Sequence, residues 1–107
     1  MSNPDVEAII AQLEQSINNN AKHIFRNRTG HFSEDNAPNR QLFVNTVMNP
    51  KNYLGVDKYG TLWYGETLNT GEQIWVQVRN GKIRNAGYNM PPKIWHPETG
   101  FSRPDIP

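Results

Sequence analysis

The first half of the chain carries the apolar spacing of helices. From Val6 to Ile17, apolar side chains recur every three or four residues, which places them on one face of a helix. Asn3 and Pro4 stand before this stripe, and they are typical of an N-cap and a first helical residue. The consecutive asparagines at 18–20 favour the end of the helix. The sequence therefore predicts an N-terminal helix with one buried face.

A second helix is predicted from about Pro38 to Met48. Asn36 is a suitable N-cap, and apolar side chains inside the segment can form a buried face. We expect the helix to stop at Asn49 and Pro50, because the residue before a proline resists helical backbone angles.

The second half of the chain changes to a period of two. Alternating apolar and polar residues predict strands at 61–68, 73–79 and 82–88. Asn80 and Gly81, between the last two strands, are a strong hairpin signal, because a type I′ turn needs positive φ at both central residues. The pattern predicts an antiparallel meander.

These patterns together predict one α+β domain, since the 107 residues leave little room for a second. Its expected parts are a helical segment at 1–50, a β-meander at 61–90 and an irregular, Pro-rich tail at 91–107. Pro91 and Pro92 are expected to end the sheet.

Composition narrows the chemistry. The chain has no Cys, which excludes disulfides and thiolate catalysis and removes most zinc sites. No apolar run approaches the roughly 18 residues of a membrane span. The net charge is only +1, yet the segment from Gln73 to Pro97 contains no acidic residue. A localised basic region is expected of a protein that binds a polyanion, although a solvated basic surface is the alternative.

Pairing the last two strands outward from the Asn80-Gly81 turn divides their side chains between two faces. Val78 then lies opposite Ile83, with Val76 and Ile74 on the same core face. The other face combines cations, amides and aromatics, as proteins that grip single-stranded nucleic acid do. Its predicted members are Gln73, Trp75, Gln77, Arg79, Lys82, Arg84 and Tyr88. The alternative is an ordinary solvated face with its tryptophan covered by the N-terminal helix.

Two histidines bracket the basic segment before the second helix. His23 and His31 enclose Arg26 and Arg28. Two imidazoles can supply the base and the acid that RNA cleavage through the 2′-hydroxyl requires, and cations can stabilise the phosphate in the transition state. A metal site is the weaker interpretation, because the spacing matches no standard motif. Surface or capping histidines are the remaining alternative.

Three segments resemble a known group of proteins. HIFRNRTGHF, NTVMNPKNYLGVDKYGTLWY and GEQIWVQVRNGKIRNAGYN are similar to C-terminal modules of bacterial polymorphic toxins, including contact-dependent inhibition effectors and phage-head-associated toxins. The order of helices and meander is similar to the barnase, EndoU, colicin and RelE-like ribonucleases. The resemblance covers roughly residues 22–100, and its helical part is not specific.

The resemblance implies an endoribonuclease toxin that needs no metal or other cofactor, often cleaves tRNA and is neutralised by a cognate immunity protein. It implies action in the cytoplasm of a target cell after delivery by a secreted carrier, whereas this chain begins at Met1 as an excised or free-standing relative would. By motif position, His23, His31, Arg79 and Tyr88 are the expected catalytic residues. The expected RNA contacts are Arg26, Arg28, Trp75, Gln77, Lys82, Arg84, Asn85 and Asn89.

Two other classes of function stay open. One is a non-catalytic RNA-binding module that uses the same basic face. The other is a protein-binding module, such as an immunity or assembly factor, in which the tryptophans form the interface. The sequence pI of about 8.1 argues against an immunity protein, because those that bind nucleases tend to be acidic.

Overall fold

The computed structural model describes residues 3–104. The helices are α1 (Pro4–Asn19), α2 (Ala21–Ile24) and α3 (Ala37–Met48), followed by a 3-10 turn (Pro50–Asn52). The strands are β1 (Tyr53–Val56), β2 (Leu62–Thr67), β3 (Gln73–Arg79), β4 (Lys82–Asn89), β5 (Lys93–His96) and β6 (Gly100–Pro104). The first four form an antiparallel sheet in chain order, and the last two form a separate hairpin. The predicted α+β class, helices followed by an antiparallel sheet, is confirmed.

Both long helices begin at the asparagines that the sequence indicated. The Asn3 side chain accepts from the amide of Asp5 at 2.8 Å, and the Asn36 side chain accepts from the amide of Asn39 at 2.9 Å. Each bond satisfies a backbone donor that has no partner inside the helix. No helix within the described part of the chain is long and apolar enough to cross a membrane.

The β3–β4 hairpin has the predicted turn but not the predicted register. Asn80 and Gly81 have φ of 53° and 73°, as a type I′ turn requires. Arg79 lies opposite Lys82, and Val78 lies opposite Ile83, as predicted. The next residue of β3, Gln77, lies opposite Asn85 instead of Arg84. Arg84 is the extra residue of a β-bulge, and every later pairing is shifted by one residue.

Helix α1 anchors β4 beside this bulge. The amide of Ile83 donates to Ser16 Oγ at 2.8 Å, and the carbonyl of Ile83 accepts from Asn20 Nδ2 at 3.1 Å. Both backbone groups of Ile83 therefore turn towards the helix and not towards β3. The predicted register was wrong because it assumed an uninterrupted ladder from the turn.

Helices α1 and α3 cover one face of the sheet and form the core with it. The four residues that the alternation assigned to this face are buried in it, namely Ile74, Val76, Val78 and Ile83. The helices and β4 add Leu13, Ile17, Ile24, Phe43, Val44 and Ala86.

The tail, predicted to be irregular, instead forms the β5–β6 hairpin, which packs on the opposite face of the sheet. Gln73 joins it to β3, because the Gln73 side chain donates to the carbonyl of Lys93 at 3.0 Å and accepts from its amide at 2.9 Å. Trp95 packs so closely on Gly55 that a Cβ atom there would lie 2.9 Å from its ring. The prediction missed this hairpin and also β1; residues 105–107 lie outside the described part.

Candidate nucleic-acid site

The segment from Arg26 to His31 is a loop seated against the outer edge of β4. The amide of Tyr88 donates to the carbonyl of Gly30 at 3.0 Å. A Cβ atom at Gly87 would lie 1.9 Å from that same oxygen, so only glycine permits this approach. A glycine inside a strand often marks a close approach of another backbone segment. Gly87 was therefore the sequence signal that could have predicted where the loop contacts β4.

The loop brings the two predicted histidines to one guanidinium. Arg26 Nη2 lies 3.2 Å from His31 Nε2, and Arg26 Nη1 lies 3.5 Å from His23 Nδ1. His23 is exposed at the end of the short helix α2, whereas His31 is only 9% exposed. The seven residues between them fold back, and the result is a His23–Arg26–His31 cluster at the protein surface.

The hydrogen bonds of His31 define its protonation state. Its Nδ1 lies 3.0 Å from the carbonyl of Ile24, which can only accept, so Nδ1 carries the hydrogen. Burial lowers the pKa of His31, and the charges of Arg26 and His23 lower it further, against the hydrogen bond to Ile24. At neutral pH the imidazole is therefore neutral, with its Nε2 lone pair directed at Arg26.

Tyr88 does not lie on the basic face where the sequence placed it. Because of the bulge, it stands opposite Ile74 on the helix-covered side, with its ring 4.7 Å from the ring of Phe32. Tyr88 and His31 nevertheless share the wall of a small surface pocket of about 230 Å³. Phe32, Ser33, Glu34 and Asn39 complete its lining. The structure thus brings Tyr88 near His31 from the opposite side of the sheet.

Arg79 is not part of the cluster. It lies opposite Lys82 beside the hairpin turn, four residues along β3 from Trp75, or about 13 Å at the usual rise of a strand. Its guanidinium donates to Thr61 Oγ1 at 3.2 Å and to the carbonyl of Tyr59. The predicted cations therefore form two groups, one on the loop and one at the turn.

The remaining predicted RNA contacts differ in accessibility. Arg28, Lys82 and Arg84 are exposed, and Gln77 is half-buried. Trp75 is only 9% exposed, so little of its ring is open to solvent. The N-terminal helix does not cover Trp75. The rings of Trp63 and His31 pack beside it, with their centroids 5.9 and 5.5 Å from that of Trp75.

Asn85 and Asn89 make hydrogen bonds within the sheet. Asn85 Oδ1 accepts from the amide of Ala86 at 3.0 Å. Asn89 is buried, and its amide nitrogen donates to Gln73 Oε1 at 3.0 Å, which supports the start of the hairpin. Asn89 is therefore first of all a structural residue.

An open cleft of about 600 Å³ separates the β5–β6 hairpin from the sheet and the loop. Four aromatic residues and four polar ones line it together with Gly30 and Met90, namely Trp63, Trp75, Tyr88, Phe101, Thr29, Asn89, Lys93 and Thr99. The sequence prediction missed this cleft because it treated the tail as irregular. The residues of Lys93–His96 do not alternate in polarity, so the only local signal of the hairpin was the glycine after the turn, Gly100, which has φ of 63°.

No group of three or more His, Asp or Glu residues within 3–104 is arranged to hold a metal ion. Comparisons of the chain with protein-family models, with curated proteins and with solved structures found no match.

Proposed function

We propose that this chain is an endoribonuclease toxin that cleaves RNA through the 2′-hydroxyl without a metal ion. The observation that carries the proposal is the position of Arg26 between His23 and His31. A guanidinium is suited to bind a phosphate by two parallel hydrogen bonds. Imidazoles on either side of it can then exchange protons with that phosphate's substituents.

The reaction needs two proton transfers. A base removes the proton of the 2′-hydroxyl as its oxygen attacks the adjacent phosphorus. The bond from phosphorus to the 5′-oxygen breaks, and an acid protonates that leaving oxygen. The products are a 2′,3′-cyclic phosphate and a 5′-hydroxyl. Arg26 stabilises the negative charge that develops on the phosphate oxygens.

The environments of the two histidines support a division of roles between them. His31 is the base, because burial keeps it neutral and its Nε2 has a lone pair. When Arg26 turns towards a bound phosphate, that lone pair becomes free to accept a proton. His23, exposed beside the same guanidinium, is the acid.

The substrate class and the biological setting are inferred from the sequence resemblance. We propose tRNA as the substrate, a cognate immunity protein as partner, and action in the cytoplasm of a target cell after delivery by a carrier. Arg28 and Arg84, which are exposed, would contact further phosphates. Expression in cells followed by gel analysis of total tRNA and rRNA identifies the RNA that is cut.

The decisive experiment is His23→Ala with purified protein and RNA. Loss of an acid or base typically lowers the rate by about 10²–10⁴, and the stability should not change because His23 is exposed. Cleavage is followed by gel, and the cyclic phosphate by mass spectrometry. Lys22→Ala, at the neighbouring exposed position, is the matched control and should cleave normally. Full activity of His23→Ala would overturn the assignment of the acid.

A non-catalytic RNA-binding module is the second candidate. Both ring nitrogens of His31 already have partners inside the protein, as those of a structural histidine do. In that case the wild-type protein binds RNA and leaves it intact, and His23→Ala changes neither property. The same cleavage gel therefore separates the two candidates.

A further inference from the structure

The cleft under the β5–β6 hairpin has rigid aromatic walls. Trp63 Nε1 donates to Asp57 Oδ2 at 2.9 Å, which fixes the orientation of the indole. Phe101 meets this indole edge-on, with ring centroids 5.5 Å apart, and Trp75 lies 5.9 Å away on the other strand. Fixed aromatic rings bind planar ligands with little loss of side-chain entropy.

Polar groups beside these rings match the edge of a heterocyclic base. Lys93 lines the cleft and supplies a cationic donor, and Gln73 holds its backbone in place. The side-chain nitrogen of Asn89 donates to Gln73, which leaves the side-chain oxygen of Asn89 as an acceptor in the cleft lining. The hydroxyl of Thr29 can donate or accept.

The cleft adjoins the His23–Arg26–His31 cluster. Thr29 and Gly30 line the cleft and belong to the loop that carries Arg26 and His31. Trp75 forms part of the cleft wall, and its ring also contacts the ring of His31, with centroids 5.5 Å apart. A planar group bound in the cleft would therefore be separated from the cluster only by this loop and by the Trp75 ring.

We infer that this cleft binds one unstacked nucleobase of the RNA, so that the phosphate attached to that nucleotide points towards Arg26. The inference rests on the proposed function for its choice of ligand. Stacking on aromatic side chains contributes to affinity for every base, and the polar rim adds hydrogen bonds to the base edge. The cleft thus holds the substrate strand next to the cluster that cuts it.

The test uses the full chain, labelled with ¹⁵N, and titration with the four nucleoside 5′-monophosphates. These compounds contain no phosphodiester, so binding is measured without cleavage. The chain has three indole N–H signals, and Trp95 does not line the cleft. We expect saturable shifts of the Trp63 and Trp75 signals, a smaller change at Trp95, and no shift with ribose 5-phosphate. Equal shifts with ribose 5-phosphate would mean that a sugar or phosphate, and not a base, occupies the site and would overturn the inference.

Two variants test the lining. Phe101→Leu removes one stacking surface and should weaken binding at least about fivefold. Lys93→Met keeps the apolar stem but removes the donor, and should weaken binding about tenfold. Lys51→Met removes the same charge from the 3-10 turn, away from the cleft lining, and should bind like the wild type. If both cleft variants bind normally, the inference is wrong.

The results separate this inference from the proposed function. RNA cleavage without any mononucleotide-induced shift at Trp63 and Trp75 would overturn the base-binding cleft and leave the ribonuclease proposal in place. Saturable binding of mononucleotides with intact RNA would support the cleft and overturn the ribonuclease proposal.

Discussion

The two faces of the four-stranded sheet are closed in different ways. On one face, helices α1 and α3 bury Ile74, Val76 and their neighbours in a continuous apolar core. On the other, Trp63 and Trp75 are covered by a two-stranded hairpin and a loop, which leave a cleft of about 600 Å³ between them. The helix-covered face also leaves an open groove of about 580 Å³, lined by apolar side chains such as Leu13, Val47 and Leu62, so the two faces differ in the chemistry of the space that they leave.

The difference follows from the side chains on each face. The groove beside the helices is bordered by aliphatic residues and two tyrosines, and among the described residues it presents no cluster of polar side chains to a ligand. The cleft on the other face is bordered by large planar rings and by Thr, Asn and Lys side chains, whose polar groups need partners. Binding sites are usually concave, mostly apolar and supplied with a few convergent polar groups. The hairpin-covered face meets this description.

Two glycines lie opposite Trp75, one on each neighbouring strand, and the largest destabilisation is expected at one of them. At Gly87 an added Cβ meets the backbone oxygen of Gly30 at 1.9 Å, whereas at Gly65 it meets the flexible end of Leu54 at 3.1 Å. We expect Gly87→Ala to lower the free energy of unfolding by about 3 kcal/mol, because the loop must move.

Gly65→Ala is the matched control and should lower the free energy of unfolding by less than about 1 kcal/mol. Urea unfolding of both variants measures the difference. Gly87→Ala should also separate His31 from its present neighbours and reduce RNA cleavage. Equal destabilisation by the two variants would show that the loop is not seated on β4 as described.

The sequence was sufficient to predict the elements whose signals are local. The asparagine caps at Asn3 and Asn36 and the turn at Asn80 and Gly81 depend on a few adjacent residues, and all are present. The aliphatic face of the sheet follows from simple alternation, and it is buried as predicted.

The rest depends on contacts between distant parts of the chain. The bulge at Arg84 occurs where Ser16 and Asn20 bind the backbone of Ile83, and no local pattern reveals a partner 63–67 residues away. That one residue moved Tyr88 to the opposite face. The position of Arg26 between the two histidines likewise depends on how the loop folds back against β4.

The second prediction concerns the salt dependence of RNA binding, which reports the number of phosphates contacted. Arg79→Ala and Arg84→Ala should each reduce the slope of log K against log salt concentration by about 1. Lys51→Ala is the control, because Lys51 belongs to the 3-10 turn before β1 and lies outside the basic segment of β3 and β4. Filter binding between 50 and 200 mM salt measures each slope. A control slope that falls as much as the others would mean that binding is not confined to the predicted surface.

The smallest expected effect is a pH dependence of stability that originates at His31. Burial lowers the pKa of His31 in the folded protein below its ordinary value of 6.5. Between these two pKa values the unfolded chain binds more protons than the folded one, so stability falls as pH decreases. The contribution of His31 to the free energy of unfolding is therefore complete above about pH 6.5. It is lost as the pH falls through the pKa of His31 in the unfolded chain towards its lower pKa in the folded protein. Each pH unit between these two pKa values costs about 1.36 kcal/mol.

His31→Asn tests this assignment. An asparagine amide can replace the Nδ1 hydrogen bond to the carbonyl of Ile24, but it does not titrate. We expect the variant to show a flatter free energy of unfolding between pH 7 and pH 5, measured by urea titration at each pH. His23→Asn changes the exposed histidine on the other side of Arg26 and is the matched control. A wild-type stability that rises on acidification would contradict a buried, neutral His31, because a histidine stabilised as a cation by the fold gives the opposite sign.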